Sequence, residues 1–235
     1  MAKAAKLHIP SKIAAEIGTR IVSERIRPGS ILNGEIEASS ELNVSRSAYR
    51  EAIRILIAKG LLHSRPKYGT RVTERAQWHL LDPDLLSWIF AKEPPRELLV
   101  SLFELRKMIE PEAAALAAEH RSPEQLNDMG RALQIMNRES LHSELGRQAD
   151  RDFHAKLLQA SNNPFLISLA TSVMAAVTWS TMFKSRTRRL DRNAVPDHAR
   201  VFYAISARDP NVARKSMIQL IELAFSDTTR SPPDR

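Results

Sequence analysis

The stretch Ser45-Arg46-Ser47-Ala48-Tyr49-Arg50, with Arg54 one turn further on, is the first in the chain whose residue types and spacing suggest a chemistry. Read as a helix capped by Ser45, it sets Arg46 and Arg50 one turn apart on a shared face, beside the small hydroxyl donors Ser45 and Ser47. Such a helix start suits base edges and phosphates in a DNA major groove. Arg54, further along, suits a phosphate. Arg65, Lys67 and Tyr68 beside Gly69 form a second basic group, suited to the DNA backbone or the minor groove. A solvated basic helix face is the alternative, and cap, Arg spacing, Gly60 and the turn at 66–69 together argue against it. A different chemistry stands at Asp150 and His154, which are four residues apart and so share one helix face. Carboxylate plus imidazole is a donor pair for a divalent transition metal such as Zn, Ni or Mn, and the plainer reading is a hydrogen-bonded surface pair. Arg106 falls on an apolar pattern with Leu99, Leu102 and Phe103 and needs an anion. That anion is either a ligand carboxylate, which pairs bidentately with a guanidinium, or Glu110 or Glu104 of the same helix.

These residues need elements to hold them. Ser11 can cap a first helix whose Ile13, Ile17, Ile21 and Val22 recur at helical spacing, until Arg27-Pro28-Gly29 breaks it. A second helix spans about 35–42, closed by Asn43, which tolerates the left-handed conformation. A third spans 46–59, with Ala48, Ala52, Ile53, Leu56 and Ile57 as its buried stripe and Gly60 as the stop. Residues 61–72 read as two strands around Pro66-Lys67-Tyr68-Gly69. Helix, turn, helix and hairpin make a winged helix-turn-helix over 1–73. Residues 74–84 read as a linker, and 85–235 as an all-α bundle of six or seven helices. Starts at Asp82-Pro83, Ser122-Pro123, Asn163-Pro164 and Asp209-Pro210 pair a cap residue with Pro in the first turn. Helical pattern covers roughly 96–119, 124–138, 144–161, 164–185, 196–207 and 210–226, and Pro111 is expected to kink or split the first of these. The basic run 184–189 reads as a solvated loop between helices. The expected fold class is therefore mostly α.

Charge divides the 235 residues in the same place. Residues 1–77 carry 14 Lys/Arg against 7 Asp/Glu, and residues 78–235 carry 21 against 20. A basic segment joined to a nearly neutral one is the footprint of a nucleic-acid-binding module attached to something else. The absence of cysteine excludes disulfides, thiolate metal sites and cysteine nucleophiles. No run of eighteen apolar residues offers a transmembrane helix. The first eighteen residues lack the continuous apolar stretch of a secretory signal, so a cytoplasmic protein is expected.

On the run ILNGEIEASSELNVSRSAYREAIRILIAKGLLHSRPKYGTRV, residues 12–73 resemble the DNA-binding domain of the GntR family of bacterial transcription regulators, without gaps. Where that family commonly has Pro-Ser-Glu-Arg, this chain has Asn33-Gly34-Glu35-Ile36. An Arg that often reaches the DNA is thus replaced by Ile36, which implies a different operator preference. The second part resembles the all-helical effector domain of the FCD subgroup, the branch of the fatty-acid-responsive regulator. The matching segments are 104–110, 150–154 with 160–164, and His198. Residues 77–88 look like the linker of galactonate-operon repressors. The resemblance implies that His198 joins Asp150 and His154 as metal ligands, and that Arg106 contacts the effector. The family's usual fourth ligand, 22 residues after His198, is here Leu220, and three ligands leave positions for water or for ligand oxygens.

The function expected from all this is a ligand-responsive transcription regulator, a repressor and not an enzyme. It would bind a palindromic operator in double-stranded DNA as a homodimer, with recognition helices about 34 Å apart. A small carboxylate, a sugar acid such as galactonate, would release it by binding near Arg106, Asp150, His154 and His198. Two rivals remain at this point. A metalloenzyme using Asp150, His154 and His198 would leave the basic first third unexplained, and the sequence has no HExxH, nucleophile elbow or P-loop to serve it. An architectural DNA-binding protein would use the bundle only to dimerise.

Overall fold

The computed structural model describes residues 8–91, 94–186 and 192–229. The chain divides into two compact units, Met1–Lys92 and Glu93–Arg235.

In the first unit, α1 spans Ile9–Val22 and buries Ile13, Ile17 and Ile21. It begins one turn earlier than a Ser11 cap would have it, at His8, because Pro10 sits in its first turn with its φ already set for a helix. Helix α2 spans Glu35–Glu41, and Asn43 takes the left-handed conformation (φ 51°) that turns the chain into α3, Arg46–Ala58. Ser45 Oγ accepts the Ala48 N–H at 3.2 Å, so the expected cap is in place. The buried face of α3 is rotated from the expected stripe: Tyr49, Ala52 and Leu56 are buried, whereas Ile57 is exposed. Helix α3 packs on α1, and that partner, not α3's own pattern, selects which face is covered. Gly60 adopts φ 75° and leads into β1, Leu62–Arg65, which pairs antiparallel with β2, Gly69–Val72. Leu62 faces Val72 and Arg65 faces Gly69 across the turn, and Ile31 adds a bridge to Arg71 on the other edge of β2.

The segment after the hairpin is packed. Trp78 is buried and donates its Nε1–H to the Thr73 carbonyl. Asp82 caps α4, Pro83–Ile89, by accepting the Leu85 N–H. The same carboxylate and that of Asp84 receive the largely buried Lys59 ammonium at 2.7 and 2.8 Å. Helix α4 lies on α1, where the Trp88 ring covers Gly18 so closely that a Cβ there would collide with it. Residues 75–91, which include most of the stretch read as a linker, thus lie with the first unit.

The second unit holds seven helices among the described residues. They are α5 (Arg96–His120), α6 (Pro123–Glu139), α7 (Glu144–Ala160), α8 (Pro164–Ser168), α9 (Ala170–Arg186), α10 (Val195–Ser206) and α11 (Pro210–Thr229). Ser122 forms a capping box with Gln125, and Asn163 and Asp209 accept backbone N–H groups at their helix starts. Helix α7 is central, packed against α5, α6 and α9, with Phe153, Leu157 and Leu158 fully buried. Pro111 does not split α5, which runs through it unbroken. The ring removes one backbone hydrogen bond, but it is buried beside Ala113, Ala114, Ala117 and Ala118, and packing on α7, α10 and α11 keeps the helix continuous. The single helix expected over 164–185 is two, because a tight bond from Leu169 N–H to the Leu166 carbonyl closes α8 before α9 begins. Of the basic run at 184–189, the backbone is helical to Arg186 and the remainder lies outside the described residues. None of the described helices is long and apolar enough to cross a membrane.

Gly18→Ala gains about 1 kcal/mol of helix propensity but forces a methyl group into the Trp88 ring, and overpacking of this kind costs about 1–3 kcal/mol. The urea midpoint of the variant should fall. In a Trp88→Leu background the same change should become neutral or stabilising, and an equal loss in both backgrounds would show that α4 does not press on α1.

Candidate functional site

All nine residues assigned to DNA by sequence, Ser45, Arg46, Ser47, Arg50, Arg54, Arg65, Lys67, Tyr68 and Gly69, are exposed. The first five stand on and before α3, and the last four form the turn of the hairpin. Lys67 and Gly69 both have positive φ, which gives the turn its shape. Sequence reading missed a further residue here. Glu35, at the start of α2, accepts hydrogen bonds from Arg46 Nε at 3.1 Å and from Arg50 Nε and Nη2 at 3.1 and 2.9 Å. One carboxylate therefore ties the two α3 arginines together, and the hydrogen bonds from Arg50, then Arg46, hold its pKa below the usual range against partial desolvation. The only sequence signal was an acidic residue in a first turn. Ile36, beside it, is exposed.

A second constellation lies inside the helical unit. Helix α5 contributes Arg106 and Glu110, α7 contributes Asp150 and His154, and α10 contributes His198. All five are buried, Glu110 completely. The four residues proposed from sequence thus converge, and Glu110, considered only as a partner for Arg106, stands among them. Arg106 Nε donates to Glu110 Oε1 at 2.6 Å, while its Nη2 is 3.5 Å from Oε2. The other oxygen, Oε2, lies 2.6 Å from His154 Nδ1, although the ring N–H direction falls off the hydrogen-bond line. Burial pushes the Glu110 pKa up, but the Arg106 and His154 charges outweigh it and hold the group at about 2.

On the far side of both imidazoles the geometry closes to a point. His198 Nδ1 lies 2.8 Å from the Ala194 carbonyl, an acceptor only, so Nδ1 carries the proton. Its Nε2 lies 3.0 Å from Asp150 Oδ1 and 3.3 Å from His154 Nε2, and His154 Nε2 is 3.8 Å from the same Asp150 oxygen. One ligand atom from each of the three residues fits within 4.8 Å. Two ring nitrogens and a carboxylate converging in a buried space could hold a cation, and this N/N/O donor set suits a divalent transition metal. Leu220, at the usual fourth-ligand position, lines the same cavity. That cavity has a volume of about 20 Å3, room for an ion or a water. It adjoins a larger one of about 260 Å3, with which it shares Leu141, Arg192 and Ala194, and to which Asn137, Ser140, His142 and Asn193 bring polar groups.

A winged helix-turn-helix joined to a separate all-helical unit with a buried polar centre is the build of a two-domain DNA-binding regulator. Residues 10–72 match the model of bacterial regulatory proteins of the gntR family, and residues 101–223 match the FCD domain. The chain belongs to the GntR family, in its FCD-containing branch, and is a DNA-binding transcription regulator rather than an enzyme. It is 34% identical over 170 residues to the uncharacterized HTH-type transcriptional regulator YieP of Escherichia coli K12, covering 72% of this chain and 74% of that one. It is 29% identical to the galactonate operon transcriptional repressor of the same strain, covering 92% and 94%. Its fold is shared with the solved structure of Lar, which controls expression of the Listeria monocytogenes agr system (TM-score 0.67, 17% identity, 96% and 99% covered).

Glu110 yields a stability prediction with a definite sign. Its folded pKa, about 2, is below the ordinary 4.5, so the stabilisation it provides is complete above pH 4.5 and is lost as pH falls toward 2. In Glu110→Gln the acid limb of a stability–pH curve should be shallower over that window than in the parent. Parallel curves would mean that Glu110 titrates alike in the folded and unfolded chains.

Proposed function

We propose that the chain is a repressor that binds a palindromic operator as a homodimer and is released by a small carboxylate, a sugar acid such as galactonate. The observation that carries this reading is the convergence of Arg106, Asp150, His154 and His198 on one buried centre of the FCD unit. The similarity to a galactonate operon repressor, at 29% identity over nearly the whole chain, supports the choice of ligand class. Asp150, His154 and His198 would hold a divalent metal, Zn, Ni or Mn, with Leu220 leaving its remaining positions to water or to ligand oxygens. Such an ion supplies a Lewis-acidic point that attracts a carboxylate and its α-hydroxyl. Arg106 adds positive charge beside the same point, where an incoming carboxylate competes with Glu110 for the guanidinium. The inner cavity is too small for a sugar acid, so its hydroxylated chain would occupy the adjoining 260 Å3 space. Cytoplasmic location follows from this role.

At the DNA, Arg46 and Arg50 would read base edges, with Ser45 and Ser47 beside them, while Arg54 and the hairpin residues Arg65, Lys67, Tyr68 and Gly69 hold the backbone. Operator and effector are then linked reciprocally: whatever factor the ligand takes from operator affinity, the operator takes from ligand affinity.

Fluorescence anisotropy on DNA from upstream of the protein's own gene, at fixed salt, tests the whole reading. One aldonate or uronate of a panel should weaken operator binding by about 5- to 150-fold, and a chelator should abolish the response. Binding indifferent to every sugar acid would leave an architectural protein or a different effector class. Arg50→Ala should weaken the specific complex roughly 10- to 100-fold and relax its sequence preference. Lys67→Ala should weaken all duplexes alike and lower the salt slope by about one unit. An Arg50→Ala loss equal on specific and random DNA would remove it from base recognition.

A further inference from the structure

We propose that Glu110 is a positioning residue of the buried centre: its carboxylate, divided between Arg106 and His154, holds His154 in the Nδ1–H tautomer and so turns the Nε2 lone pair toward Asp150 and His198. The inference deepens the reading of Asp150, His154 and His198 as a cation site, and it rests on that reading for its functional meaning.

The two oxygens of Glu110 have different partners. Oε1 takes the short bond from Arg106 Nε at 2.6 Å, whereas Oε2 is 3.5 Å from Arg106 Nη2 and only 2.6 Å from His154 Nδ1. A carboxylate oxygen and an unprotonated ring nitrogen at that distance would set lone pair against lone pair, which favours a proton on Nδ1 even though its N–H points off the line to Oε2. In the neutral ring Nε2 is then bare, and it is Nε2 that stands 3.3 Å from His198 Nε2 and 3.8 Å from Asp150 Oδ1. His198 reaches the same state by another device, its Nδ1–H donating to the Ala194 carbonyl. Both imidazoles thus turn Nε2 toward one point, where a cation or a single proton would relieve the repulsion between the two nitrogens. An exposed carboxylate would hold His154 less firmly, because water would compete for the Nδ1–H, but Glu110 has no exposed surface. Arg106 completes the arrangement by making an ionised carboxylate tolerable there.

Glu110→Gln separates this role from a purely structural ion pair. Arg106 donates, so it will take the Gln oxygen, which leaves the amide NH2 facing His154. The amide can only donate to Nδ1, and the His154 proton must move to Nε2, into the space where a cation would bind. Long-range proton–nitrogen NMR on the metal-free, 15N-labelled full chain at mildly alkaline pH reads this directly, with a His154→Gln variant for assignment. The parent should show His154 protonated at Nδ1, and Glu110→Gln should show it protonated at Nε2. Zn2+, Ni2+ or Mn2+ titrated into the same samples should bind the variant roughly 10- to 100-fold more weakly. Should Glu110→Gln fail to fold by circular dichroism, the neutral pair Arg106→Gln/Glu110→Gln leaves neither of these two positions with an unpaired charge, and it should show a mixture of tautomers. An Nε2-protonated His154 in the parent, or an unchanged tautomer in a folded variant, overturns the proposal. If the parent takes up none of the three ions, the metal reading falls, while the tautomer measurement still decides the role of Glu110.

Discussion

A carboxylate with no exposed surface cannot stay ionised unless its surroundings bring charge to it, and Glu110 imposes that requirement on the helical unit. Arg106, one turn back on α5, answers it from the same helix. His154 lies against it from α7, so these contacts reach across the packed interface between α5 and α7. The apolar residues around it follow the same constraint. The buried Phe153 ring lies T-shaped to both His154 and His198, with centroids 5.8 and 5.2 Å apart, and helps exclude water that would screen the centre. The result is a polar point, fixed from three helices, in a largely apolar interior.

The first unit repeats the Glu–Arg pairing under the opposite condition. Glu35 joins Arg46 and Arg50 in water, where an exposed ion pair adds little to stability. Its effect there is orientation: two long side chains that would otherwise sample many rotamers are drawn to one carboxylate, on the helix proposed to meet DNA. Buried, the pairing keeps a charge where none would otherwise survive. Exposed, it restrains cations meant for another anion. In both cases a carboxylate that no motif singles out organises the residues that motifs do single out.

Local signals placed most of the elements. Ser45, Asp82, Ser122, Asn163 and Asp209 all mark helix starts, and Asn43 and Gly60 mark the left-handed turns on either side of α3. These signals work because a cap or a positive φ is settled within four residues. Where a reading depended on a distant partner, it drifted. Tyr49 is buried and Ile57 is not because α1 covers that face of α3, and Pro111 stays inside α5 because three other helices hold it there.

The same division runs through the site. The spacing of Asp150 and His154 alone puts them on one helix face, since helical periodicity is a property of the chain. His198 entered only through resemblance to a family, because 44 residues separate it from His154 and no local rule spans that distance. Which oxygen of Glu110 meets which partner, and which nitrogen of each imidazole faces the centre, was decided by tertiary packing. Those choices depend on where three helices cross, and crossing is governed by the shapes of their buried faces rather than by the order of residues along any one of them.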